Sequence, residues 1–295
     1  MKARRSRSST LTAYFFLTPA LLGLLFLTIL PMFGVVLISL TNWSGLENPQ
    51  FIGLGNFKEI FTEDLYFLRS VVATLYFALG AVVSGIIYSF TVALMLNQRV
   101  LARGFWRSVY FIPYVVPSVG TAIVWSWLYE SNFGVFNYVL HLLGANKVQW
   151  LQSGVTAVPS IVIMVVWGMG SMIVIFLAGL QNVPRAYLEA VEIDGGNAWH
   201  KFRHITIPLM TPVIFYNFLM SMISNLQVFV PAYALTRGEP GGRTLFMVFL
   251  MYREGFIHNS FGYASALSLI FFVFIAALTV VIFATSRRWM FYEGE

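Results

Sequence analysis

The 295-residue chain contains no cysteine, which removes disulfide frameworks and thiolate metal sites from consideration. Charge is scarce as well. Only 10% of residues are Asp, Glu, Lys or Arg, against about 25% in a soluble domain. With 58% hydrophobic and 17% aromatic residues, there is too little polar side chain to clothe a water-facing surface, so lipid is the expected solvent. The lysines are Lys2, Lys58, Lys147 and Lys201, and none follows a glycine. The chain therefore lacks the G-x-x-x-x-G-K-[ST] phosphate loop, and any ATP-driven activity would need its nucleotide engine on another polypeptide. The twelve acidic residues all lie outside the long apolar runs or at their ends. A coupling proton or sodium ion needs a titratable or ligating group within the membrane. Their absence demotes secondary transport, sodium sites made of backbone carbonyls aside. With no carboxylate or histidine pair in the runs, an intramembrane enzyme is disfavoured too.

What is present is a set of six apolar runs, at 14–40, 70–96, 109–129, 157–180, 213–235 and 264–285, each near the ~20 residues that cross a bilayer. Pro113 and Pro117 break the start of the third, which is tolerated where neighbouring helices or a polar cavity satisfy the freed carbonyls. The first run follows Lys2, Arg4, Arg5 and Arg7 but is far longer than the about 7–15 residues of a secretory signal core and lacks a cleavage site. An uncleaved span is expected. Twelve of the eighteen Lys and Arg residues fall in the amino terminus, the second and fourth connections and the tail, and six fall on the other side. This asymmetry is a topology signal that places both termini in the cytoplasm. It also removes nucleic acid as the explanation of the +6 net charge. The expected architecture is all-α and polytopic: a cytoplasmic segment 1–13, a six-span domain 14–285 and a cytoplasmic tail 286–295.

The fourth connection, 182–212, parses as two short helices. Pro184 suits the first helical position with Asn182 or Val183 as cap. Ala186, Ala190 and Ile193 fall on one face, and Arg185, Glu189 and Glu192 on another. Gly195 supplies the left-handed residue that stops the helix. Asn197 caps a second helix with Trp199 and Phe202 on one side, and Ile207-Pro208 and Pro212 lead into the fifth run. No basic recognition face is present, so a DNA-reading helix-turn-helix is a poor fit.

The pattern Glu189-Ala190-Val191, Asp194-Gly195, Phe202, Ile205, Ile207-Pro208 and Pro212 resembles the "EAA" loop of binding-protein-dependent ABC importer permeases. That consensus runs E-A-A-x-x-D-G-A and then I-x-L-P. Val191, Gly196 and Ile207 depart from it by small or apolar exchanges. The resemblance implies the ABC type I importer permease fold, with the first loop helix seated in a cleft of an ATPase subunit. Glu189, Ala190, Asp194, Gly195, Ile207 and Pro208 are the coupling residues it implies. It further implies that ATP and Mg bind the partner subunit, this chain holding no cofactor and not being an enzyme. The partners are two copies of an ATP-binding subunit, a homologous second permease subunit and an extracytoplasmic solute-binding protein, in a bacterial or archaeal inner membrane. Thr41-Asn42-Trp43, residues 51–57, Tyr110-Phe111-Ile112-Pro113, Gln227-Val228-Phe229, Tyr233, Leu235-Thr236 and residues 262–266 look like the carbohydrate group of these permeases. This implies a sugar or oligosaccharide as substrate. The same architecture in related permeases moves glycerol phosphate and other small polar solutes. Val230 and Glu239 stand where many members have Asp and Gly, leaving the solute open.

The fifth run carries the polar groups suited to such a solute. Asn217, Ser221, Ser224, Asn225 and Gln227 offer neutral amides and hydroxyls, and Tyr216, Phe229 and Tyr233 offer aromatic faces for ring carbons. Asn217, Ser221 and Ser224 share a helical face, with Gln227 close to it. The equal alternative is that these groups hold helices together by hydrogen bonds. An anionic solute would want a basic residue facing the cavity, and the six runs contain none. His200 and His204 have metal-ligand spacing, but no third ligand converges and a solvated face is expected. Trp125, Trp127 and Tyr129 are expected to form an interfacial belt; Gly80, Gly85, Gly168 and Gly170 are expected at close helix contacts.

Overall fold

The computed structural model describes residues 7–98 and 100–286. Lys2, Arg4, Arg5, Arg99, Arg287 and Arg288, which carry much of the orientation signal, lie outside the described residues. The described chain is helical, with a single isolated bridge between Thr41 and Phe51. In order, the helices are α1 (Tyr14–Ser39), α2 (Gly55–Thr62), α3 (Leu65–Asn97), α4 (Arg103–Val115), α5 (Ser118–Leu128), α6 (Val135–Leu142), α7 (Ala157–Trp167), α8 (Gly170–Gln181), α9 (Arg185–Ile193), α10 (Ala198–Leu226), α11 (Met247–Tyr252) and α12 (Phe261–Ser286). The six apolar runs appear as four unbroken helices, α1, α3, α10 and α12, and two bent pairs, α4 with α5 and α7 with α8.

The third run is not a straight crossing, because α4 and α5 meet at 99°. Val116 sits at φ −68°, ψ 132° and Pro117 at φ −55°, ψ 133°; a residue before proline is pushed out of the helical region by the pyrrolidine ring. The 11 residues of α5 reach only about 16 Å at ~1.5 Å per residue, roughly half of a hydrocarbon core of ~30 Å. The fourth run bends 53° at Gly168–Met169. A Cβ added at Gly170 would lie 2.5 Å from the Tyr110 carbonyl oxygen and 2.9 Å from Phe111 Cα. Only a glycine lets α4 and α8 touch backbone to backbone here, as expected for this position.

The fifth run differs most from expectation. Its helix ends at Leu226 rather than near 235, and a separate turn follows at Ala232–Thr236. It begins at Ala198, so the second helix of the connection and the span are one continuous helix of 29 residues. Two prolines fail to break it for local reasons. Pro212 has no N–H for the Pro208 carbonyl, and Thr211 Oγ1 donates to that carbonyl at 2.7 Å instead. Before Pro208, the turn Phe202–Thr206 is widened to a π-helix, with the Ile207 N–H reaching back to Phe202 O, which absorbs the lost register.

The chain divides into two compact units, one of residues up to 64 with 251–272, the other of residues 65–250 with those from 273 on. In the first, Asn56 Nδ2 donates to the Ser39 and Thr41 carbonyls at 2.7 and 2.8 Å, and the Gly262 N–H donates to Trp43 O at 3.0 Å. Much of α1 stays uncovered, Leu27 being 80% exposed. The second unit is built on α3. Near its C-terminal end, Val92, Ala93 and Leu96 pack with Ile173, Phe176, Leu177 and Leu180 of α8 and Met210 of α10. Near its N-terminal end, the Met247 N–H donates to Thr74 Oγ1 at 2.8 Å and Phe77 stacks on Phe246 with ring centroids 4.9 Å apart. Connection 182–212 thus sits at one end of α3 and the segment 236–247 at the other. In lipid such packing rests on close fit rather than on expelling water.

Candidate functional site

The connection after α8 forms an exposed projection. Pro184 takes the N-cap position, at φ −64° and ψ 128°, one place before the first helical residue Arg185 and so one place short of the expected first helical position. At the other end Gly195 adopts φ +79°. Its N–H donates to Glu192 O at 3.0 Å, and the Gly196 N–H donates to Val191 O at 2.8 Å. This is the paired arrangement that satisfies the last carbonyls of a helix through a left-handed glycine. A Cβ on Gly196 would collide with Val191 Cγ1 and stand 2.9 Å from Val191 O. Val191 and Gly196, the two departures from the E-A-A-x-x-D-G-A pattern, are therefore a matched pair in space.

The next helix starts as the sequence predicts. Asn197 Oδ1 accepts the His200 N–H at 3.0 Å, and the Asn197 N–H faces His200 Nδ1 at 3.4 Å, closing a reciprocal cap. His200 is thereby a capping residue. Lys201 Nζ pairs with Glu192, tying α9 to the start of α10 by an ion pair that contributes about 0.2–1 kcal/mol at such exposure. Ala186, Glu189, Ala190, Asp194 and Gly195 are all exposed, and Ile193 is 86% exposed. Ile207 and Pro208 are half-buried where α10 leaves its widened turn. The apolar strip Ala186, Ala190, Ile193 is thus left exposed among the described residues.

The polar groups of the fifth span divide into two sets. Asn217, Ser221 and Asn225 are buried and bond along their own helix. Asn217 Nδ2 donates to Val213 O at 3.1 Å, and Asn225 Nδ2 donates to Ser221 O at 2.8 Å and Ser221 Oγ at 3.0 Å. Ser224, Gln227, Tyr216 and Tyr233 are exposed, and Tyr233 stacks with Phe229 at 5.4 Å. The face expected to unite Asn217, Ser221 and Ser224 is split at Ser224.

At the far end of α3 from this connection, the segment after α5 is held by aromatic rings and one amide. Trp125 and Tyr129 are buried against Phe136, Trp150 and Trp167, so of the three expected belt residues only Trp127, at 68% exposure, is free to face lipid. Tyr129 escapes the belt because its hydroxyl finds a buried partner, donating to Ser160 O at 2.7 Å. Asn137, which carried no signal in the sequence, donates to Ser131 O and Val148 O at 2.9 Å each and accepts from the Val148 N–H and Trp150 Nε1–H. Glu130 accepts the Phe133 N–H at 2.9 Å and the Asn132 N–H at 2.5 Å. The Phe133 N–H, against an opposing desolvation and with the help of the Asn132 and Ser131 N–H groups and the Asn132 side chain, holds its carboxyl below the usual carboxylate range.

Four unbroken apolar helices and two bent pairs, with a capped, exposed projection before the fifth run, define a polytopic membrane protein. Residues 85–291 match the family described as "Binding-protein-dependent transport system inner membrane component", and the chain belongs to it. It is similar to the probable ABC transporter permease protein YesP of Bacillus subtilis (strain 168), 35% identical over 100% of this chain and 96% of that one. It is also similar to the trehalose/maltose transport system permease protein MalF of Thermococcus litoralis, 33% identical over 93% of each. A chain of a bacterial alginate ABC transporter crystallised with an alginate pentasaccharide-bound periplasmic protein superposes with a TM-score of 0.85 at 21% identity, over 98% of both chains. The chain has that permease fold, the ABC type I importer fold.

Proposed function

We propose that this chain is the permease through which a sugar or oligosaccharide, delivered by an extracytoplasmic binding protein, enters the cell. Relatives named for trehalose and maltose, starch degradation products and arabinooligosaccharides support the substrate class. ATP and Mg belong to a separate ATPase present in two copies, and a homologous second permease completes the channel. The observation that carries the coupling role is α9: capped at Gly195, projecting, and with Ala186, Ala190 and Ile193 uncovered. Glu189 and Asp194 meet the ATPase surface, and Ile207 and Pro208 pass the movement to α10. Both termini and the connection 182–212 face the cytoplasm. The exposed set Ser224, Gln227 and Tyr233 contacts the solute, while Asn217, Ser221 and Asn225 shape the helix behind it. Gentle purification should bring down an ATP-hydrolysing chain and a second permease. In proteoliposomes, the loaded binding protein should stimulate hydrolysis and sugar uptake. Uptake without ATP, driven by an ion gradient, would refute the reading.

A further inference from the structure

A cavity of about 880 Å³ opens at the N-terminal end of α3, lined by Arg69, Tyr76, Gly154, Gly242 and Arg243 among others. Its size is that of a small-molecule site. The second span was expected to begin at 70, which left Arg69 outside it. The helix begins at Leu65, so Arg69 stands in its second turn, exposed, and lines this cavity together with the exposed Arg243. Among the described residues neither Arg69 nor Arg243 has a carboxylate partner or a side-chain hydrogen bond.

The walls are fixed. Next to Arg69, Ser70 is fully buried, its Oγ on Phe67 O at 2.7 Å and Met247 Sδ at 3.1 Å. Next to Arg243, Thr244 is fully buried, its Oγ1 on Glu239 O and Thr236 Oγ1 at 2.7 Å each. The space left by missing side chains receives the arginine stems. A Cβ at Gly154 would touch Arg243 Cγ at 3.4 Å, and one at Gly242 would lie 4.0 Å from Arg69 Cδ. Two guanidinium forks, suited to planar oxyanions, and the open ring of Tyr76 therefore face one space.

We propose that this cavity is a site for the carboxylate of an acidic saccharide, with Tyr76 against the sugar ring. It lies about 40 Å along α3 from Leu96 and the ATPase-docking connection, at ~1.5 Å per residue, at the end of the bundle where the solute arrives. The proposal rests on the sugar-permease reading and narrows its substrate class to uronate-bearing sugars.

The test compares digalacturonate with its methyl ester, which keeps the shape and removes the charge. Binding is measured on the purified complex in phosphatidylcholine nanodiscs. The free acid should bind at least ~10-fold tighter than the ester, a preference erased in Arg69→Gln and Arg243→Gln and partly kept in Arg69→Lys. Equal binding of acid and ester by the unaltered complex, or an intact preference in both Gln variants, overturns the proposal. Displacement of the acid by phosphatidylglycerol in the nanodisc also overturns it and assigns the pair to a lipid headgroup. Uptake of any saccharide is scored separately. If neither compound is transported while the binding difference stands, the narrowing to uronate-bearing sugars fails and the anion site survives, whereas uptake of no saccharide at all overturns the sugar-permease reading.

Discussion

Gly195 at φ +79° is the residue on which the projection turns. A β-branched side chain forced into that conformation costs about 1–2 kcal/mol, enough to unwind an exposed helix end. Gly195→Val should insert into the membrane normally yet lose at least ~10-fold in uptake, and normal uptake would remove the coupling role. The matched pair gives a sharper expectation. Gly196→Ala alone should impair uptake several-fold because of Val191, and Val191→Ala in the same chain should restore it; a double variant no better than the single one would show that the two sites are independent. In the fifth span, Gln227→Ala should alter solute preference or uptake with hydrolysis intact, whereas Asn217→Ala should act through stability, because its amide serves Val213 O. Gly195 was legible in the sequence because a helix stop leaves a chemical signature. The split between Asn217 and Ser224 was not, since the covering neighbours α3 and α8 decide which side of a helix is buried.

At the scale of elements, prolines break a helix in one place, as expected at Pro117, and are carried within one in another. Val116-Pro117 does turn the chain, through 99°, whereas Pro208 and Pro212 sit inside α10 because Thr211 and a widened turn replace the missing bonds. Thr211→Val removes the hydroxyl from Pro208 O and should lower thermal stability by about 1–3 kcal/mol; an unchanged melting temperature would mean that the carbonyl finds another donor. Outside the spans, Glu130 organises the turn to Phe133. Its folded-state pKa is depressed, so the turn is stabilised above the unfolded value of about 4.3 and loses that support as pH falls through the folded value. Acidification through the lowered folded-state range of this carboxyl should expose 130–134 to acid-active protease, and Glu130→Gln should show that sensitivity at neutral pH. If Glu130→Gln matches the unaltered chain at both pH values, the carboxylate is not what orders the turn.

The whole molecule offers a clean test of orientation because it contains no cysteine. A membrane-impermeant maleimide should label Ala190→Cys only in inverted vesicles and Val155→Cys only in right-side-out cells; the reverse would invert the topology. The membrane class was plain from composition and run length, while of the six expected runs four form unbroken helices and two form bent pairs. The arginine cavity was not, because Arg69 and Arg243 are 174 positions apart and only the stitching of α3 to Met247 brings them to one space. The 29 residues of α10 extend about 44 Å at ~1.5 Å per residue, from the cap at Asn197 to Gln227. A tilt of about 5° imposed at the cap would sweep the opposite tip through about 4 Å over that length. The helix is a lever whose stroke is fixed by its span, so lengthening or softening it at the Phe202–Thr206 turn should change how far its tip beside Gln227 travels.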